Sequence, residues 1–419
     1  MNFLDLLNLI NTLIGVFFVI CYAYQFFYIF IALIKKPKKH PKSDKLHRFA
    51  VMIAARNEKA VIGNLLDSIH EQTYPAEYVD IYVVADNCTD DTAEIAKQHG
   101  AVVFERQNKE HIGKGYAMQF LFGKVIAEKG KDYYDGYFIF DADNLLDSRF
   151  IEEMNNAFSC GNKVLTCYRN SKNFGDNWVS SGYAIWFLRE AKYLNNSRYL
   201  LNTSCAVSGT GFLIHKDIIN RNGGWKHFLL TEDIEFTIDT IVNGDKIGYC
   251  HDAMLYDEQP TTFKQSWNQR LRWAKGYLQV FLRYGTKMLK EIFTKGSFAC
   301  FDMTMNIMPA VVFTIFGTVS NAVILVLSIV TGTFSLPVLF GALFSLLGNA
   351  YLLMLFVGAL TILTEWKKIR CKTSRKILSM FTFPIFMLTY IPISIVAFFK
   401  KVEWKHIEHT VDVSIEDLK

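Results

Sequence analysis

With 51% hydrophobic residues, 35 Phe and a formal net charge of +5 over 419 residues, the chain is too apolar for an ordinary soluble protein and reads as an integral membrane protein. Much of its basic charge lies beside apolar runs, which points to anionic lipid headgroups and away from nucleic acid as a partner. The eight cysteines form no C-x-x-C pair, so neither a zinc site nor a disulfide framework is indicated, and reduced cytosolic thiols are the simplest reading.

Residues 1–34 read as an N-terminal transmembrane helix. The run from Ile10 to Ile34 is uncharged and long enough to cross a hydrocarbon core of roughly 30 Å at about 1.5 Å per residue. A cleavable signal peptide fits less well, because the basic residues follow the apolar run and no small-residue cleavage site appears. The linker 35–48 opens with Lys35-Lys36-Pro37-Lys38-Lys39, and the positive-inside rule puts it, and the domain after it, in the cytosol.

From 49 to 275 strands and helices alternate. The pattern predicts strands at about 49–55, 79–85, 101–105 and 137–140, with helices from about Lys59, Thr92 and Lys114, hence a Rossmann-like α/β layer with a parallel sheet. Polar residues gather after the strands: Arg56-Asn57-Glu58 after the first, Asp86 to Asp91 after the second, Asp141-Ala142-Asp143 after the fourth. They converge on one sheet edge, as a nucleotide pocket requires. Two carboxylates one residue apart at a strand end suit Mg²⁺ or Mn²⁺ held together with a diphosphate, although paired Asp residues also cap turns. Asp86 suits a base or ribose, and Asp90 and Asp91 suit the cap of the next helix. Lys114, in the glycine-flanked turn His111-Ile112-Gly113-Lys114-Gly115, either meets a phosphate or is solvated.

From Phe150 to Tyr256 the pattern is mixed, with an aromatic-rich helix near 178–199. The turn Gly209-Thr210-Gly211 either lets backbone approach a ligand or is a plain turn. In Thr231-Glu232-Asp233, Thr231 reads as an N-cap, and the helix N-terminus would keep Asp233 ionised and able to accept a proton. A helix from about Thr261 carries Gln269, Arg272 and Trp273 at i, i+3 and i+4, so an amide, a guanidinium and an indole share one face. That face suits a pyrophosphate beside a sugar ring, or equally a helix lying on the membrane surface.

The whole series, Arg56-Asn57-Glu58, Asp86, Asp141-x-Asp143, Thr231-Glu232-Asp233 and Gln269-x-x-Arg272-Trp273, framed by apolar spans, resembles the family-2 membrane glycosyltransferases that include cellulose, chitin and hyaluronan synthases. The resemblance covers about Phe49 to Tyr277 and implies a GT-A fold. It implies that Arg56, Asn57, Glu58 and Asp86 contact a uridine nucleotide, that Lys114, Asp141, Gln269 and Arg272 hold its diphosphate, and that Asp143 with Asp141 holds Mg²⁺ or Mn²⁺. Asp233 is then the general base on the acceptor hydroxyl, with Glu232, Gly209, Thr210, Gly211 and Trp273 on the acceptor side. One base means a single displacement, so an α-linked UDP-sugar becomes a β-linked product.

Residues 276–300 read as amphipathic interface helices and 301–399 as the transmembrane region, with spans at about 301–330, 336–363 and 377–399. Three crossings would leave Lys400-Lys401 outside, against the positive-inside rule, and Pro384 and Pro392 interrupt the last segment. A broken or re-entrant segment resolves the conflict and keeps the tail 400–419 cytosolic, although the tail has no clear match to the segment that closes over the nucleotide site in this family. The expected protein is a multi-pass plasma-membrane enzyme with a cytosolic catalytic domain, extending a β-linked polysaccharide processively and secreting it through its own spans, with UDP-glucose the favoured donor. The alternatives are a UDP-GlcNAc or hyaluronan-type synthase, single addition to a lipid acceptor, and a non-enzymatic membrane scaffold or polymer exporter.

Overall fold

The computed structural model describes residues 3–404, 407 and 409–418. The strand β1 (Phe49–Ala55), an unbroken apolar run, is the centre of the sheet. It pairs in parallel with β2 (Val79–Asp86) and β4 (Gly136–Asp141), and β3 (Val102–Arg106) adds to β2 in the same direction. These are the four expected strands, each within a residue or so of its expected bounds. Side chains alternate along β1: Ala50 and Met52 enter the core under one face, Val51 and Ile53 the core under the other.

The expected parallel sheet is only half of what forms. Beyond β4 the order continues through β7 (Phe212–His215), β6 (Val164–Ser171), β8 (Ile247–Asp257) and the short β5 (Leu145–Leu146), giving β3-β2-β1-β4-β7-β6-β8-β5. The β4–β7, β7–β6 and β8–β5 pairs are antiparallel and β6–β8 is parallel, so the sheet is mixed. The residue at the end of each long strand therefore reaches one cleft.

Crossovers α2 (Ile62–His70), α3 (Thr92–Gln98) and α4 (Lys114–Lys129) join the first strands, and α5 (Phe150–Ser159) follows β5. The aromatic-rich helix is three pieces end to end: α6 (Trp178–Arg189), a π-helical turn Glu190–Asn195 and α7 (Asn196–Leu200). Next come α8 (Lys216–Asn222), α9 (Glu232–Val242) and α10 (Phe263–Lys295), whose 33 residues run straight through the boundary expected at 275/276. Leu282 and Phe293 are each 83% exposed on α10.

The membrane-side helices are α1 (Phe3–Ile34), α11 (Phe298–Ile307), α12 (Pro309–Val330), α13 (Leu336–Thr364), α14 (Thr373–Leu388) and α15 (Tyr390–Phe399). Among the described residues, three stretches are long and apolar enough to cross a membrane: 5–34, 336–364 and 373–399. The expected span 301–330 is divided at Met308, because Pro309 has no N–H to continue the α11 ladder and instead opens a new helix. The last segment is broken, as its prolines suggest, but at Thr389 between α14 and α15. Arg270 of α10, fully buried, donates to the Phe386 carbonyl at 3.0 Å and to Thr389 Oγ1 at 2.6 Å, which satisfies backbone freed by the break. At the other end, Asp302 of α11 accepts from Tyr24 (2.9 Å) and Tyr28 (2.8 Å) of α1 and, at 2.8 Å on each oxygen, from Arg198 of α7. This network ties the first apolar helix to the catalytic domain.

Candidate active site

Three backbone turns converge at the ends of β1, β2 and β4. Asn57 and Asn87 both take left-handed φ, at 55° and 54°, a conformation that short polar Asn tolerates, and these turns pull the strand ends together. The Thr89 N–H donates to Asn57 Oδ1 at 2.8 Å and the Glu58 N–H to Thr92 Oγ1 at 2.8 Å, so the first two loops brace each other. Asp90 caps α3 through the Thr92 N–H, whereas Asp91, at the N-cap position, makes no cap bond. Asp86 is buried and ion-paired with Arg106 at the end of β3, a partner the sequence reading did not name.

Lys114 opens α4 and reaches across the cleft. It pairs with Asp141 and donates to the Gly209 carbonyl at 2.8 Å. Burial works against its ammonium, but Asp141 and Glu232 outweigh burial and hold it above the ordinary lysine value. Gly115 makes this approach possible: a Cβ there would lie 2.2 Å from the His227 carbonyl. Thr210 Oγ1 accepts from the Asp141 N–H at 2.9 Å, which locks the glycine turn to the end of β4.

The turn Ser208-Gly209-Thr210-Gly211 is the centre of the site. Gly209 and Gly211 have φ of 78° and 70°, and a Cβ on Gly211 would lie 2.5 Å from Cys167 Sγ. A Cβ on Gly209 would lie 3.7 Å from Arg169 Nη1, 3.9 Å from Asp141 Oδ2 and 4.0 Å from Asp233 Oδ2. Asp233 is the second residue of α9. The helix N-terminus alone was expected to keep it ionised. Instead burial raises Asp233 above its ordinary value, opposed by Lys114 and Arg272. Burial and then the Asp233 charge likewise raise Glu232. Thr231 occupies the N-cap position but makes no side-chain cap bond; its side chain packs against Gly276 of α10.

On α10 the expected face is present. Gln269, Arg272 and Trp273 are half-buried, and Arg272 donates to the Leu230 carbonyl at 3.2 Å. Gln269 Oε1 meets no donor among the described residues. Trp273 stands edge-on to Tyr183 at 5.6 Å and Phe187 at 6.1 Å, forming an aromatic wall.

Asp143 is buried, with Oδ2 accepting the Glu258 N–H at 2.9 Å. Burial opposes its charge, but His409, Lys172, that N–H and Arg169 outweigh it and hold the carboxyl below its usual range. Asp141 and Asp143 bring oxygen ligands only, and among the described residues no cluster of three or more His, Cys, Asp or Glu forms a closed cage. A cation here would complete its shell with ligand oxygens, so the pair fits Mg²⁺ or Mn²⁺ bound together with a phosphate.

The C-terminal tail crosses the same cleft. Arg56 lies over the Trp404 ring at 5.1 Å, Glu58 Oε2 is 2.9 Å from His409 Nδ1, and the Thr410 and Val411 N–H groups donate to Glu258 at 2.9 and 3.0 Å. Ile415 and Leu418 then pack on Leu145 and Tyr256. Lys405, His406 and Glu408 of the tail lie outside the described residues. Burial raises Glu58 to about 7 despite its His409 partner, and Asp143, Glu58 and Glu258 raise His409 to about 10 against burial. The sequence reading also missed Arg169 and Asp257. Arg169 is half-buried on β6, donates from Nε to Asp257 Oδ2 at 2.7 Å and from Nη1 to the Ser208 carbonyl at 2.8 Å, and lies 3.6 Å over the Phe187 ring.

A family model, Glycosyltransferase like family 2, matches residues 47–276. The chain is 26% identical over 274 residues to the probable glycosyltransferase YdaM of Bacillus subtilis, covering 61% of each chain. It is 27% identical over 300 residues to a beta-monoglucosyldiacylglycerol synthase of Nostoc sp., covering 65% of this chain and 59% of that one. Against a poly-beta-1,6-N-acetyl-D-glucosamine synthase of Staphylococcus aureus it is 24% identical over 287 residues, covering 68% and 67%. It thus spans about three fifths of the length of the first two relatives. Among solved structures, the mannosyltransferase PcManGT of Pyrobaculum calidifontis, in complex with GDP-Man and Mn²⁺, matches with a TM-score of 0.59 and 14% identity over 95% of this chain and 99% of that one, a likeness of fold.

Proposed function

The chain belongs to the Glycosyltransferase like family 2, and from that premise we propose that it is a glycosyltransferase that transfers a sugar from a UDP-sugar, with inversion, to the hydroxyl end of a growing β-linked glycan at the cytosolic membrane face. The carrying observation is the meeting of Asp233, Asp141 and Lys114 around Gly209. In this reading the turns holding Arg56, Asn57, Glu58 and Asp86 take the nucleoside. Lys114, Gln269 and Arg272 take the diphosphate. Trp273 and the Gly209–Gly211 turn align the acceptor, and Asp233 removes its proton as the glycosidic bond forms. Asp141 and Asp143 would hold Mg²⁺ or Mn²⁺, which when bound neutralises charge on the leaving diphosphate. UDP-glucose is the favoured donor, and the broken 373–399 segment beside α10 supports a product path at the membrane. Poly-GlcNAc synthesis, as the Staphylococcus aureus relative is named, needs only a different sugar pocket.

A second reading, single addition to a diacylglycerol-type lipid, is favoured by the similarity to the beta-monoglucosyldiacylglycerol synthase. The test is UDP release by the purified protein with Mg²⁺ or Mn²⁺, offering UDP-Glc, UDP-GlcNAc, UDP-GlcA and UDP-Gal separately, with products sized. A high-molecular-weight glycan supports the first reading, a one-sugar lipid the second, and turnover with none of these donors contradicts both.

A further inference from the structure

We infer that the 373–399 segment, although long and apolar enough to span a bilayer, does not cross it: α14 and α15 form a wedge whose exposed apolar face docks into the lipid leaflet on the catalytic domain's own side.

Both flanks of the segment are fastened to the catalytic domain. Before it, buried Glu365 accepts the Tyr168 hydroxyl of β6 at 2.5 Å and is ion-paired with Lys192 of the π-helical turn at 3.0 Å, while Asn170 of β6 donates to the Lys368 carbonyl at 3.1 Å. After it, the tail lies on Glu58 and Glu258, and Asn64 of α2 donates to Asp412 at 2.7 Å. A crossing would put a hydrocarbon core of roughly 30 Å between those flanks. One domain holds both, so the chain turns back.

The segment also stays against the domain along its length. Phe386, near the end of α14, lies so close to α6 that a Cβ on Gly182 would run into its ring. At the break, Arg270 of α10 holds the Phe386 carbonyl and Thr389, and Ile393 and Ala397 of α15 then pack on Leu271 and Ala274 of the same helix.

The outward side is apolar. Ile377, Leu378, Phe381 and Ile385 are exposed along α14, and Phe398 and Phe399 are exposed at the end of α15. The charge beside this face identifies what covers it. Lys367, Arg370, Lys372 and Arg375 lie at one end and Lys400 and Lys401 at the other, all exposed. An apolar face bordered by cations fits acyl chains beneath anionic headgroups. The spanning helices are then α1, α12 and α13. The 22 residues of α12 extend about 33 Å, enough to cross, and the turn 331–335 lies on the far side.

The test is the sidedness of the full-length chain. In a background with the native cysteines replaced, Thr333→Cys, Lys372→Cys and Lys401→Cys are each treated with a membrane-impermeant maleimide in protoplasts and in inverted vesicles, and native Cys160, exposed on the catalytic domain and retained alone, marks that domain's side. Lys372→Cys and Lys401→Cys should label from the same side as Cys160, and Thr333→Cys from the other. Where that background does not fold, the native chain carries the test: a protease that digests the catalytic domain in sealed vesicles should also remove an epitope fused after Lys419. Docking is read by a fluorophore on Phe381→Cys in vesicles of phosphatidylcholine and phosphatidylglycerol, which lipid brominated near the headgroup should quench more than lipid brominated at the chain tip. Lys401→Cys labelled from the side opposite Lys372→Cys, a protected epitope, or a Phe381→Cys fluorophore quenched by neither lipid overturns the inference.

Discussion

Gly276 and Thr231 touch so closely that a Cβ on Gly276 would lie 2.5 Å from both Thr231 Cγ2 and Oγ1. The first residue sits three positions after Trp273 on α10 and the second just before the Glu232-Asp233 pair on α9. α10, which carries Gln269, Arg272 and Trp273, is thereby keyed to α9, which carries Asp233. Gly276→Ala should separate them by a fraction of an ångström to an ångström and lower kcat by about 10-fold or more, with unfolding temperature reduced only modestly. Steady-state kinetics on the folded variant checks this.

As the proposed base, Asp233 with its raised carboxyl sets the acid side of the pH profile. A base must be unprotonated to act, so activity is lost as pH falls through the Asp233 value, which burial places above the ordinary carboxylate range. Burial and then the Asp233 charge raise Glu232. The stability consequence has the opposite dependence from that of a salt-bridged acid. A carboxyl raised on folding opposes the fold above its unfolded pKa, so Glu232→Gln should unfold at higher temperature than wild type at pH 8 and at the same temperature below pH of about 4. Parallel melts at the two pH values check the sign.

Glu258 holds the tail by two backbone N–H groups while its own N–H holds Asp143. Glu258→Ala should loosen the tail over the Glu58 side of the cleft, raise the donor KM several-fold and expose the tail to limited proteolysis. Charge-assisted hydrogen bonds of this kind contribute about 1.5–3 kcal/mol each, enough to matter for a segment held by few contacts. Proteolysis with and without UDP-sugar reads the loosening directly.

Asp302, with both oxygens fully engaged and no exposure, should tolerate replacement poorly. Asp302→Ala leaves the buried Arg198 charge and two tyrosine hydroxyls without their acceptor, a loss of about 3–5 kcal/mol. The signature is a lower unfolding temperature of the purified variant in detergent.

Much of the site was legible because it is local. Gln269, Arg272 and Trp273 share a face by helical periodicity, and Asp141 and Asp143 end a strand that hydrophobicity alone marks. The parallel strands followed from alternation with helices. What was hidden is long-range. Arg169 and Asp257 are 88 residues apart, and only the parallel β6–β8 pairing brings them together. Arg106 meets Asp86 only because β3 pairs beside β2. The tail lacks periodicity, so its path over Glu58 and Glu258 depended on backbone N–H groups that carry no sequence signal. Thr231 had the right residue type for a cap, yet Gly276 took up its side chain; tertiary packing overrode local propensity.

The measurement that bears most directly on the account is the anomeric configuration of the product, read by NMR coupling constants after turnover of α-linked UDP-sugars by wild type and Asp233→Asn. Displacement with Asp233 as the only base gives a β-linked product from wild type and none from Asp233→Asn. An α-linked product, or β-product from Asp233→Asn at the wild-type rate, would contradict it.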